Sequence, residues 1–173
     1  MGLRPGHCYT KLERAYTRKS KYKKKGYIKT IPPTKIAKYD MGDLKKDFQC
    51  KVDLIAKQDI QIRHNALESS RQMIIRYLEA LNKPYYAKLR VYPHHALREN
   101  KMLTGAGADR MQTGMQQAFG RVIGCAARVK KEQPLFTIYV DKADIEQASA
   151  ALKKAIPRLP CKCVVVVSDV KKK

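Results

Sequence analysis

The stretch FQCKVDLIAKQDIQIRHNALESSRQMIIRYLEALNKPYYAKLRVY, residues 48–92, holds a strand pattern, a helix pattern and another strand pattern in succession. From Phe48 to Ala56, Phe48, Cys50, Val52, Leu54 and Ala56 alternate with polar residues, apart from Ile55. Successive strand side chains point to opposite faces, so this alternation predicts a half-buried strand. Ile60 and Ile62 predict a second, shorter one. Asn65 stands three residues before Glu68 in the manner of a capping box, and Leu67, Ile74, Ile75, Leu78 and Leu81 fall on one helical stripe. A helix over 66–81 follows, stopped by Pro84, which cannot continue a helix. Beyond it, Tyr85, Ala87, Leu89 and Val91 share one strand face and Tyr86, Lys88, Arg90 and Tyr92 the other. The second face is basic and aromatic, a pattern that suits RNA and equally suits a solvated outer face.

Further along, Leu135–Val140 reads as a strand, followed by a helix that starts near Asp141 and Asp144 and buries Ile145, Ala148, Leu152 and Ile156. Pro157 and Pro160 end it, and Cys163–Val167 is a continuous apolar run of the kind a fully buried strand presents. This order of elements predicts an α+β fold, a two-layer domain with helices packed on a sheet. The 173 residues suit one body, 47–173, carrying an appendage, 1–46.

The appendage is the most charged part of the chain. Between Met1 and Tyr39 twelve Lys or Arg face a single acid, Glu13, which accounts for half of the net charge of +22. Five of the ten tyrosines, Tyr9, Tyr16, Tyr22, Tyr27 and Tyr39, lie among these cations. Aromatic rings stack on bases while Lys and Arg neutralise phosphates, so the combination is a footprint of nucleic-acid binding. With so few aliphatic residues the segment is expected to order only against a partner. Ile31-Pro32-Pro33 stiffens its approach to the body.

A second basic segment, residues 100–129, carries five glycines, Gly105, Gly107, Gly114, Gly120 and Gly124, with Lys101, Arg110, Arg121 and Arg128 against Asp109 alone. Glycine lets backbone approach a ligand closely, and long loops in compact domains are commonly functional. Gly105-Ala106-Gly107 has Arg110 where a dinucleotide fingerprint needs its third glycine, and no Gly-Lys-Ser/Thr forms a P-loop. The segment around 100–120 is expected to be mobile in the free protein.

Other chemistry is thin. His94-His95 and Cys161-Lys162-Cys163 lack paired zinc spacing, His7-Cys8 sits in the basic arm, and His64 precedes the helix. No nucleophile is paired with a base by spacing, so no catalytic residue, metal or cofactor is expected. The five cysteines form no paired framework and favour reduced thiols. No apolar run nears the roughly 20 residues that span a bilayer, and the expected location is the cytoplasm.

Met1 to Pro5 with Cys8-Tyr9, then Lys35-Ile36 and Tyr39-Asp40-Met41-Gly42, resemble the N-terminal arm of the archaeal and eukaryotic large-subunit ribosomal protein ten family, relatives of bacterial large-subunit protein sixteen. Val91-Tyr92-Pro93-His94-His95, Leu97 to Met102, Gly105 to Arg110, Gly114-Met115 and Ala118-Phe119-Gly120 resemble its long central signature. Gln116 and Cys125 depart from it, standing where the family pattern has arginine and threonine.

The resemblance implies a hammerhead-type domain on large-subunit ribosomal RNA beside the aminoacyl-tRNA site, with tRNA and neighbouring ribosomal proteins as further partners and no membrane. It implies RNA contacts through Arg98, Lys101, Arg110 and Arg121 near the peptidyl transferase centre, and through Arg4, Arg14, Arg18, Lys23 and Lys24 in the arm. The competing reading is an enzyme that modifies or processes RNA with the glycine loop. Neutralising Lys23, Lys24 and Lys25 together should weaken binding to every RNA sequence, and each lost phosphate contact should lower the log–log salt slope by about 0.7 on single strands. A salt titration checks this, with circular dichroism expected to show an intact body.

Overall fold

The computed structural model describes residues 4–12, 22–26, 28, 30–100, 105–107 and 120–170. Eight strands and two α-helices lie within them, each strand antiparallel to its neighbours. They are β1 (Asp40–Gly42), β2 (Cys50–Ala56), β3 (Ile60–Arg63), α1 (His64–Glu79), β4 (Tyr86–Leu89), β5 (His95–Glu99), β6 (Arg121–Val129), β7 (Pro134–Val140), α2 (Ile145–Ala155) and β8 (Cys163–Asp169). Five strands pair in the order β1-β4-β7-β2-β8 and three in the order β3-β6-β5. The expected α+β class is what this architecture shows.

The alternation in β2 places Val52, Leu54 and Ala56 in the core with no exposure. Across the sheet Val52 faces Ile138 and Leu54 faces Phe136, and on the other side of β7 the same two residues meet Ala87 and Leu89. This apolar layer is covered by the helices: α1 contributes Leu67, Ile74 and Leu78, and α2 contributes Ala148, Ala151, Leu152 and Ala155. Small residues on α2 permit close approach to the sheet. Ile55, which interrupts the alternation in the sequence, is where the register with β7 slips, opposite Pro134. A proline lacks the N–H a ladder needs and suits such a start of a strand.

Several expectations are refined. Helix α1 starts at His64 with Arg63 at the N-cap position and no side-chain cap, so Asn65 falls inside the first turn and the Asn65–Glu68 box does not form, Glu68 turning instead to Arg71 and the Ala37 N–H. It ends at Glu79, with Asn82 in the left-handed conformation at φ 50°, a common way to stop a helix ahead of a proline. β8 is an edge strand rather than a fully buried one: among the described residues it pairs only with β2, leaving Val166 40% and Val167 46% exposed. Its valine run reflects strand preference as much as burial.

The end of the charged N-terminal segment takes part in the domain. Ile36 and Met41 are buried in the common core, and β1 pairs with β4 through Asp40–Lys88, Met41–Ala87 and Gly42–Tyr86. Gly42 has φ +90°, and a β-carbon there would run into the Tyr85 carbonyl oxygen. Gly42→Ala should therefore cost more than about 2 kcal/mol of stability, since both left-handed backbone and a main-chain clash oppose it. Thermal denaturation of the variant measures the loss, and Gly105→Ala, whose added carbon would meet open space, is the contrast although it too has positive φ.

Candidate nucleic-acid interface

The three-stranded sheet is where the charged segments meet. Gln61 on β3 reaches the N-terminal residues twice: its backbone N–H donates to the Thr10 carbonyl at 2.9 Å and its side-chain amide to the Tyr9 carbonyl at 2.8 Å. Beside it, Arg63 Nη1 donates to the Arg4 carbonyl at 2.9 Å while the guanidinium lies over the Tyr9 ring, 5.4 Å from its centroid. Tyr9 in turn donates its hydroxyl to Glu99 Oε2 at 3.3 Å. Burial, then the Glu99 carboxylate, raises the Tyr9 pKa, so the phenol stays a neutral donor. Residues 4–12 thus lie across β3 and touch the end of β5.

That end of β5 is the base of the glycine-rich segment. Glu99 pairs with Arg121 and Arg98 with Val122, so Arg98 and Arg121 sit on adjoining strands where the chain leaves β5 and re-enters at β6. The register slips between Leu97 and Arg98. Gly120 closes the base with φ +97°, and a β-carbon on it would lie 2.5 Å from the Glu99 carbonyl carbon. Only glycine fits so close to the opposing backbone.

A groove of about 300 Å³ opens between residues 32–35, the start of α1 and the middle of β6, with Lys35 and Arg63 beside apolar Pro32, Leu97 and Ile123. His64 anchors it. Its Nδ1 accepts the Lys35 backbone N–H at 3.3 Å, and its Nε2 would stand 3.3 Å from any β-carbon at Gly124. Glu68, one helical turn on, accepts from Arg71 at 2.6 and 2.8 Å, from Gln72 at 3.0 Å and from the Ala37 N–H at 3.3 Å. The Arg71 hydrogen bonds hold its carboxyl below the ordinary range. Cys125 donates to the Pro32 carbonyl at 3.5 Å.

Of the RNA-contact residues the resemblance implied, the sheet gathers Arg4, Arg98 and Arg121. Lys24 lies exposed in a short 3-10 turn, Lys23–Lys25, next to Tyr22, over whose ring Lys25 sits at 5.5 Å. Arg14, Arg18, Lys101 and Arg110, the Lys23 side chain and most of 100–120 lie outside the described residues. Sequence reasoning missed Gln61, Arg63 and His64 as anchors, and it missed β5 and β6. Gly124 to Ala127 give β6 small side chains rather than the branched ones that announce a strand. Cys161 and Cys163 face each other at 3.4 Å, the Cys161 thiol being made more acidic by the hydrogen bond and that of Cys163 less. Among the described residues no three or more His, Cys, Asp or Glu cluster as metal ligands would.

Comparison with known proteins puts this arrangement among ribosomal proteins: residues 16–166 match the family described as ribosomal protein L16p/L10e. The chain belongs to that family. Proteins named large ribosomal subunit protein uL16 resemble it along nearly their whole length. That of Methanococcus maripaludis strain C7 is 45% identical over 171 residues, 97% of this chain and 95% of the relative. That of Staphylothermus marinus is 43% identical over 174 residues, 99% and 97% of the two chains. The Hyperthermus butylicus protein is 42% identical over 162 residues, 92% and 90%.

Burial, then the Lys35 and Arg63 charges, pushes the His64 pKa down. The unfolded chain therefore takes up a proton before the folded one as pH falls, and stability held above about pH 6.5 is lost below it, at no more than about 1.4 kcal/mol per pH unit. His64→Gln, which keeps an acceptor for the Lys35 N–H, should show a smaller drop in thermal midpoint between about pH 7.5 and 5.5 than the unaltered chain.

Proposed function

We propose that this protein is a structural constituent of the large ribosomal subunit that binds ribosomal RNA beside the aminoacyl-tRNA site and supports translation there. Family membership carries the reading, since the family is one of structural, non-enzymatic ribosomal proteins. A ribosomal protein of this kind works in the ribosome, in the cytoplasm, among ribosomal RNA and other ribosomal proteins.

The finer assignments rest on charge and on position. Residues 1–46 act as the RNA-binding arm of the body 47–173, in the hammerhead-type arrangement the resemblance implies. Arg4, Arg14, Arg18, Lys23 and Lys24 meet phosphates along the arm. Arg98, Lys101, Arg110 and Arg121 serve the glycine-rich loop where it reaches towards tRNA and the peptidyl transferase centre. The net charge of +22 favours such a polyanion, because each neutralised phosphate releases a counterion. No part of this role calls for a membrane, and among the described residues no helix is long and apolar enough to cross one.

Large subunits reconstituted with the protein should retain one copy per particle on sedimentation. Removing residues 105–114 should leave that stoichiometry and the thermal midpoint of the free protein nearly unchanged while slowing peptide-bond formation or tRNA accommodation. Loss of co-sedimentation by the full chain would overturn the ribosomal assignment. Unaltered translation rates after the deletion would overturn the place beside the catalytic centre.

A further inference from the structure

Beyond β4 the chain makes a tight turn with Pro93 at its centre, the His94 N–H donating to the Tyr92 carbonyl at 3.0 Å. Pro93 is buried and its ring fixes φ near −65°, which fits the middle of such a three-residue turn. The turn presses the flanking rings together: Tyr92 and His94 have centroids 4.4 Å apart at an interplanar angle of 42°. Tyr92 also stacks on Tyr39, 5.4 Å away at 21°. Three aromatic rings are therefore grouped around Tyr92, with Tyr92 49% exposed and His94 exposed as well.

This group differs from the other tyrosine stack, Tyr86 on Tyr139, where the Tyr86 hydroxyl is tied to Asp40 at 2.7 Å. Tyr39 is fixed by packing against the core, so the group of rings is held to the body. Lys38 is exposed next to Tyr39 in the chain, and Arg90 is exposed two residues ahead of Tyr92. Exposed aromatic rings with cations close by in the chain match the two halves of a nucleotide, the base for the rings and the phosphate for the cations. Rigid rings lose little freedom on binding, which favours affinity.

We propose that Tyr39, Tyr92 and His94 form a stacking site for an unpaired base of single-stranded RNA. The proposal deepens the RNA-binding reading above and rests on it. Duplex RNA keeps its bases stacked on one another and offers only backbone, so the site selects single strands.

The chain contains no tryptophan, so Tyr92→Trp introduces a single reporter. Its fluorescence should be quenched by adenosine and uridine tetranucleotides, more by adenosine, and left unchanged by inorganic polyphosphate or a short RNA duplex. Tyr92→Ala and His94→Ala should each weaken tetranucleotide binding by about tenfold with polyphosphate binding and the thermal midpoint preserved. Equal quenching by polyphosphate, or alanine variants that bind the tetranucleotide as tightly as the unaltered chain, would overturn the stacking site while leaving RNA binding intact. Failure of the unaltered chain to bind any RNA would overturn both.

Discussion

Two side chains from the first turns of α1 hold the molecule together where its charged segment meets its core. His64 takes the Lys35 N–H and Glu68 takes the Ala37 N–H, one turn apart on the same helix. Between and beyond these anchors Ile36 and Met41 enter the core and β1 completes the five-stranded sheet. The helix itself begins without a side-chain cap, and the Glu68 carboxylate is turned to the arm and to Arg71. A backbone pinned by two side-chain acceptors loses freedom that twelve mutually repelling cations would otherwise keep.

The same anchoring sets the surface. A β-carbon at position 124 would stand 3.3 Å from His64 Nε2, so the glycine there leaves room for the ring against β6, beside the groove between residues 32–35 and the three-stranded sheet. On the same sheet, residues 4–12 cross β3 and reach Glu99, bringing Arg4 to the sheet that carries Arg98 and Arg121. Two basic segments distant in sequence thus converge on one small sheet. The five-stranded sheet, with both helices on its apolar side, supplies the rigid body.

Much of the architecture was legible. Period-two alternation revealed β2 and β4, and the stripe from Leu67 to Leu78 revealed α1, because burial on one face leaves a regular mark. Three strands escaped. β1 is only three residues long, β5 begins inside a histidine and proline cluster, and β6 is built from glycine and alanine around the His64 contact. The valine run of β8 misled in the other direction, since an edge strand with one neighbour has the same composition as a buried one. For the interface, charge drew attention to Arg4 and Arg121 and the family resemblance to Arg98, but neither gave a hint of the anchors. Gln61, Arg63 and His64 act through backbone carbonyls, a backbone N–H and a ring far away in sequence, and such pairings leave no periodic trace.

The open margin of β8 also bears on the life of the protein before it finds its place. One side of that strand is unpaired among the described residues, and Val166 and Val167 give it an apolar surface. Unpaired valine-rich margins recruit strands from other molecules, and copies made in excess would meet one another at that seam. Asp169, exposed at the end of the strand, supplies charge of the kind that keeps such margins apart. Solubility of the newly made chain therefore depends on how well that margin is kept charged.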